Sequence, residues 1–136
     1  MVRATQQRKT IHKVLVKYGR PLSVNEILEL ARSEVTRLGI ATVYRNLKVL
    51  QSEGQIAPVD LPGQPPRWEI APAGHHHHFL CRTCDRLFEI YGCPADIKQL
   101  LPKGYVLEKH DILLQGQCEA CAGKANKRVS PEASRT

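Results

Sequence analysis

Two Cys-x-x-Cys pairs constrain this chain more than any other feature: Cys81-Arg-Thr-Cys84 and Cys118-Glu-Ala-Cys121. One such knuckle sets two thiolates close enough to share an ion, and two knuckles complete a tetrahedron. An all-sulfur, four-coordinate site suits zinc. Protein fills all four positions, so the predicted role is structural and not catalytic. The competing use of paired cysteines is disulfides, which belong to oxidising compartments. Residues 1–20 have no apolar core of signal-peptide type. No apolar run approaches the ~18–20 residues that cross a bilayer. The expected location is therefore the cytoplasm, with no membrane partner. Residues 85–117 lie between the two pairs, which demands a folded element and not a simple turn. A fifth cysteine, Cys93, stands outside both knuckles.

A chain of 136 residues makes one ordinary domain or two small ones, and small ones need a staple such as a metal or a partner subunit. The first half supports the second option. Ile11, Val14, Leu15 and Tyr18 recur at helical spacing until Gly19-Arg-Pro21 stops them. Ser23 with Glu26 forms a capping box ahead of Ile27, Leu30 and Ala31. Ile40, Val43, Leu47 and Leu50 mark a third helix, ended by Gly54. The short runs Gln55–Val59 and Arg67–Ala71 flank a Pro/Gly turn and read as a β-hairpin. Three short helices and a hairpin make a winged helix over residues 1–72, with the third helix as recognition helix. The net charge of +7 is concentrated early: Arg3, Arg8, Lys9, Lys13, Lys17 and Arg20 occur with no acidic residue in the first twenty. That is a phosphate-binding footprint or a solvated helix face.

Pro72-Ala-Gly74 reads as a hinge, after which His75-His-His-His78 opens a strand. Alternation sends His76 and His78 to one face and His75 and His77 to the other, so the run can seed two different sites. Glu69, Glu89, Asp96 and His110 are carboxylates and an imidazole within plausible reach. Mixed nitrogen and oxygen donors suit zinc, iron(II) or manganese. Pro94–Leu101 reads as one helix, and Tyr105–Glu108 and Ile112–Gln115 as extended. Residues 123–136 are polar and read as a disordered tail.

Gly39-Ile-Ala-Thr-Val-Tyr-Arg-Asn-Leu47, then His75-His-His-His-Phe-Leu-Cys-Arg-Thr-Cys84, then His110 and Cys118-Glu-Ala-Cys121, resemble the ferric uptake regulator family, over about residues 3–122. The resemblance implies an α+β fold: an N-terminal winged helix (1–72) followed by a small α/β dimerisation domain with a four-cysteine zinc site (75–122). It implies a homodimeric, metal-dependent repressor that binds double-stranded DNA at a palindromic, A/T-rich operator. Members sense iron, zinc, manganese, nickel or peroxide. Cys81, Cys84, Cys118 and Cys121 match the structural zinc ligands. Glu69, His76, His78 and Glu89 match the hinge-region sensing site. His75, His77, Asp96 and His110 match an additional site. Thr42, Tyr44 and Arg45 fall on the DNA-reading helix, Arg8 in the basic segment, and Arg3 where the family often reaches the minor groove.

Two departures stand out. The family often supplies a sensing histidine near the second helix, where this chain reads Arg20-Pro-Leu-Ser-Val24. Cys93 is a candidate substitute there; its other reading is a small buried residue before Pro94. The family also often carries an extra helix ahead of the Thr5-Gln-Gln-Arg8 segment. Expected cofactors are structural Zn2+ and a second divalent ion, Fe2+ ahead of Zn2+, with Mn2+ a further option. A zinc enzyme is not expected: the His-x-Glu and Pro-Cys-x-x-Cys pattern of deaminases is absent and the four-cysteine site leaves no open position. The competitor outside the family is a zinc-ribbon module that binds a protein partner.

Overall fold

The computed structural model describes residues 2–72, 74–94 and 96–125, and the chain divides into two compact units, Met1–Gly74 and His75–Thr136.

The first unit packs three helices against a hairpin. Helix α1 (Val2–Tyr18) buries Ile11, Val14 and Leu15, three positions on one helical stripe. It ends at Gly19, whose φ of 61° is a left-handed conformation that glycine adopts without strain. Helix α2 (Val24–Ala31) starts on the expected capping box. Ser23 Oγ accepts from the Glu26 amide and Glu26 Oε1 accepts from the Ser23 amide, both at 3.1 Å. Helix α3 (Ile40–Ser52) buries Val43, Asn46, Leu47 and Leu50.

Strands β1 (Ile56–Leu61) and β2 (Gln64–Ile70) pair antiparallel. Both run further toward the turn than the Pro-rich sequence suggests, with Pro58 in β1 and Pro65 and Pro66 in β2. Pro66 shares the parity of Trp68, whose N–H points away from β1, so its missing N–H costs no bond between β1 and β2, and Pro65 lies beside the register shift between Val59 and Leu61. Leu22 and Trp68 exchange backbone hydrogen bonds at 2.8 Å in both directions, which ties the wing to the helices. Leu22, Ile27, Leu47, Leu50, Ile56 and Trp68 all join one apolar cluster.

The second unit is a sheet of order β4-β3-β5, from β3 (His76–Cys81), β4 (Leu87–Tyr91) and β5 (Leu113–Gly116). β3 pairs antiparallel with β4 and parallel with β5. Gly116 lies against Phe79, where an added Cβ would sit 3.4 Å from the ring. A further helix, α4 (Glu119–Ala125), follows the second knuckle.

This half departs from the sequence expectations in three places. Among the described residues between Pro94 and Pro102 there is a 3-10 turn, Ile97–Leu100, in place of the expected α-helix; Leu101, directly before Pro102, is extended at φ −79° and ψ 140°, which ends it. Tyr105–Glu108 pairs with no strand among the described residues, and Tyr105 and Val106 are 68% and 83% exposed. Helix α4 carries the chain through residues 123–125, the start of the segment expected to be a disordered tail; residues 126–136 lie outside the described residues.

Candidate metal centres

Cys81 ends β3, Cys84 lies in the turn to β4, Cys118 immediately precedes α4 and Cys121 is on it. The four sulfurs lie within 4.8 Å of one another. The turn that folds the first knuckle back passes through Asp85 at φ 63°. The amides of Cys84 and Cys118 both point at Cys81 Sγ, at 3.4 Å. Hydrogen bonds to sulfur favour the thiolate, led by that from Cys84, and lower the Cys81 pKa to about 6. Burial, with the neighbouring thiols adding to it, pushes the Cys121 thiol up to about 12. Without a cation Cys121 stays a thiol at neutral pH. Zn2+ fits this donor set, because it stabilises several thiolates at once.

The histidine run divides as alternation requires. On one face the rings of His76 and His78 lie 4.7 Å apart, centroid to centroid. Register puts Glu89 of β4 opposite His78 and Tyr91 opposite His76. The Tyr91 hydroxyl donates to Glu89 Oε2, and the Tyr91 ring stacks on His76. Two imidazoles and a carboxylate thus share one face of the second unit. Glu69 belongs to the first unit, on β2 opposite Ala57.

On the other face the grouping differs from the expected one. His75, His77 and His110 meet there with Cys93, not with Asp96, and the four ligand atoms lie within 4.8 Å of one another. Asp96 instead precedes the 3-10 turn, its carbonyl accepting from the Gln99 amide at 2.9 Å. Cys93 thus lies with this group and not with His76 and His78: its sulfur is 2.8 Å from His110 Nε2 and 3.4 Å from His77 Nε2. Gly92, at φ 106°, turns the chain just after β4 and precedes Cys93 directly. His77 is buried, and burial, followed by the neighbouring His75 and His110, lowers its pKa. A neutral imidazole is the form that binds metals.

The residues expected to read DNA can also be located. Tyr44 and Arg45 are exposed on α3, and Arg45 Nη2 donates to Thr42 Oγ1 at 2.9 Å. Lys48 is exposed one turn further along the same face, where its spacing of four from Tyr44 could have drawn attention to it. Asn46, within the same motif, is buried and bonds to the Thr42 carbonyl, which makes it a helix-packing residue. Arg3 and Arg8 lie on α1, Arg8 half-buried.

The ferric uptake regulator family model matches residues 1–115. The ferric uptake regulation protein of Staphylococcus epidermidis is 32% identical over 124 residues, covering 90% of this chain and 88% of that protein. The peroxide operon regulator of Bacillus subtilis is 25% identical over 128 residues, covering 92% and 88%. The structure of the Helicobacter pylori ferric uptake regulator, described as having three functional metal-binding sites, superposes with a TM-score of 0.65 at 28% identity, covering 86% of this chain and 80% of that one. A winged helix, a four-cysteine cluster and a divided histidine strand, joined to this match along nearly the whole chain, show that the protein belongs to the ferric uptake regulator family.

Proposed function

We propose that this chain is a metal-dependent, DNA-binding transcriptional repressor that acts as a homodimer and controls genes of metal uptake or homeostasis, with iron(II) as its signal. The observation that carries this reading is the pairing of two halves: a winged helix with Tyr44, Arg45 and Lys48 exposed on α3, followed at once by a strand that presents His76 and His78 beside Glu89. Tyr44 meets a thymine methyl, while Arg45, Lys48 and the basic residues of α1 grip phosphates. Exposed Tyr91, Leu100, Val106 and Leu114 give the second unit apolar surface for a second copy.

Glu69, His76, His78 and Glu89 form the sensing set. Glu69 comes from the winged helix and the others from the sheet, so an ion bound by all four restricts how the two units move. Metal then shifts the population toward arrangements that set two recognition helices at half-site spacing. With Cys93 on the other face, the set contains nitrogen and oxygen donors and no sulfur, which supports iron(II) or manganese ahead of a thiophilic ion.

The test is selection of duplexes from a random pool by the iron(II)-loaded protein, followed by gel shifts with and without metal. We expect palindromic, A/T-rich duplexes bound only with metal. Glu69→Ala with His78→Ala should abolish the metal-dependent shift and leave the four-cysteine zinc in place. Retained metal-dependent binding in that double variant would overturn the sensing role. Arg45→Ala should weaken duplex binding with metal uptake unchanged.

A further inference from the structure

We infer that the odd-numbered face of the histidine strand is a sulfur-containing zinc site, with Cys93 as a ligand where the family pattern has a carboxylate. This goes beyond the repressor reading and does not depend on it. The sulfur of Cys93 and the Nε2 atoms of His75, His77 and His110 converge. His75 Nε2 is 2.9 Å from His77 Nε2 and 3.1 Å from His110 Nε2, and Cys93 Sγ closes the ring on His77 and His110. Zn–N bonds of about 2.0–2.1 Å and a Zn–S bond of about 2.3 Å put tetrahedral ligand atoms roughly 3.3–3.6 Å apart, so modest outward movement of these atoms admits the ion.

The four donors are not equal. The Ile112 amide donates to His77 Nδ1 at 3.1 Å, which puts the proton of the neutral ring on Nε2. His77 must give up that bond to ligate through Nε2. His75, His110 and Cys93 carry no such constraint and form the core of the site, with His77 as its weakest member. A thiolate with imidazoles selects zinc or cobalt(II) over iron(II) and manganese, which favour carboxylate oxygen. The two faces of one strand thus offer different donors, and the sulfur-bearing face takes zinc. The site also lies open to solvent at His75 and Cys93, so an ion can enter from outside.

The experiment uses the full chain with its four-cysteine site filled by zinc, titrated with cobalt(II). The wild-type protein should take up one additional cobalt and develop a thiolate-to-cobalt charge-transfer band in the near ultraviolet. Cys93→Ser should lose that band, and Asp96→Ala should keep it. Any band remaining in Cys93→Ser reports exchange at the four-cysteine site, which elemental analysis of zinc release measures separately. Zinc should displace this cobalt and protect Cys93 from alkylation, mapped by mass spectrometry, whereas iron(II) should do neither at equal concentration. Cys93→Ser should weaken zinc here by more than the roughly 10–100-fold that loss of an outer hydrogen-bond partner costs at a metal site. An unchanged cobalt spectrum in Cys93→Ser without zinc release, or a band lost in Asp96→Ala, would overturn the assignment. Both readouts stand apart from DNA binding, so failure of the repressor reading leaves them interpretable.

Discussion

The two halves of this molecule are held together by different physics. The first unit buries a continuous apolar cluster that includes Ile11, Leu15, Leu22, Ile27, Leu47 and Trp68. In the second, the apolar residues buried among the described residues are Leu80, Cys81 and Leu87. At about 1.5–3 kcal/mol per large buried side chain, the first set can offset the chain entropy of a small domain and the second cannot. Its place is taken by converging sulfurs and imidazoles, which become cohesive once an ion neutralises and joins them. One half is thus folded by exclusion of water and the other by coordination.

The largest expected effect breaks this contrast most directly. Cys81→Ser, or zinc removal by a strong chelator, should unfold the second unit and leave the helices of the first, because a structural zinc contributes on the order of 10 kcal/mol of folding free energy. Hydrogen exchange read segment by segment would show it; equal protection of β3 with and without zinc would mean that apolar packing suffices there. The converse substitution is Leu47→Ala. That side chain is fully buried, and its truncation should cost about 2–5 kcal/mol in urea denaturation of the first unit. Zinc content should not change, and a parallel loss of zinc would show that the halves fold as one.

A smaller effect sharpens how much local structure adds to the first unit. Ser23→Ala removes one arm of the capping box and should cost about 1 kcal/mol, visible as a lower urea midpoint. The smallest concerns the exposed pair of Lys13 and Glu34, 2.8 Å apart. Hydrogen bonding and charge from Lys13 hold the Glu34 carboxyl below its ordinary 4.5. The stabilisation is therefore present above that value and lost as pH falls through the folded-state pKa. Lys13→Ala should lower the melting temperature slightly at neutral pH and not at all in strong acid; an equal loss at both would assign the effect to packing.

The same contrast explains what could be read from the residues alone. Cys81, Cys84, Cys118 and Cys121 announce themselves through spacing, and Ser23 with Glu26 through an offset of three, because both devices are local. The parity of His75–His78 is also local, being a property of any strand. Cys93 is different. Its partners are decided by the turn at Gly92, which a lone glycine does not specify, and by the arrival of His110 ahead of a strand that pairs in parallel, which leaves no mark near residue 93. Asp96 has the right chemistry and the expected place in the pattern, yet the backbone leads it into the 3-10 turn instead. Helix α4 was hidden because a short run such as Glu119–Ala125 gains its stability from the knuckle it follows, not from propensity.

The parallel pairing of β3 with β5 has a mechanical consequence. Parallel neighbours begin at the same end and finish at the same end. Here the shared beginning lies near His75, His77 and His110, and the shared finish runs into Cys81 and Cys118. The short ladder between Cys81 and Gly116 at one end and His78 and Leu113 at the other works like a strap buckled twice. Opening one buckle leaves β5 held at a single point, with the long loop before it or the helix after it free to pull. Each bound ion would therefore keep the strands in step for the other.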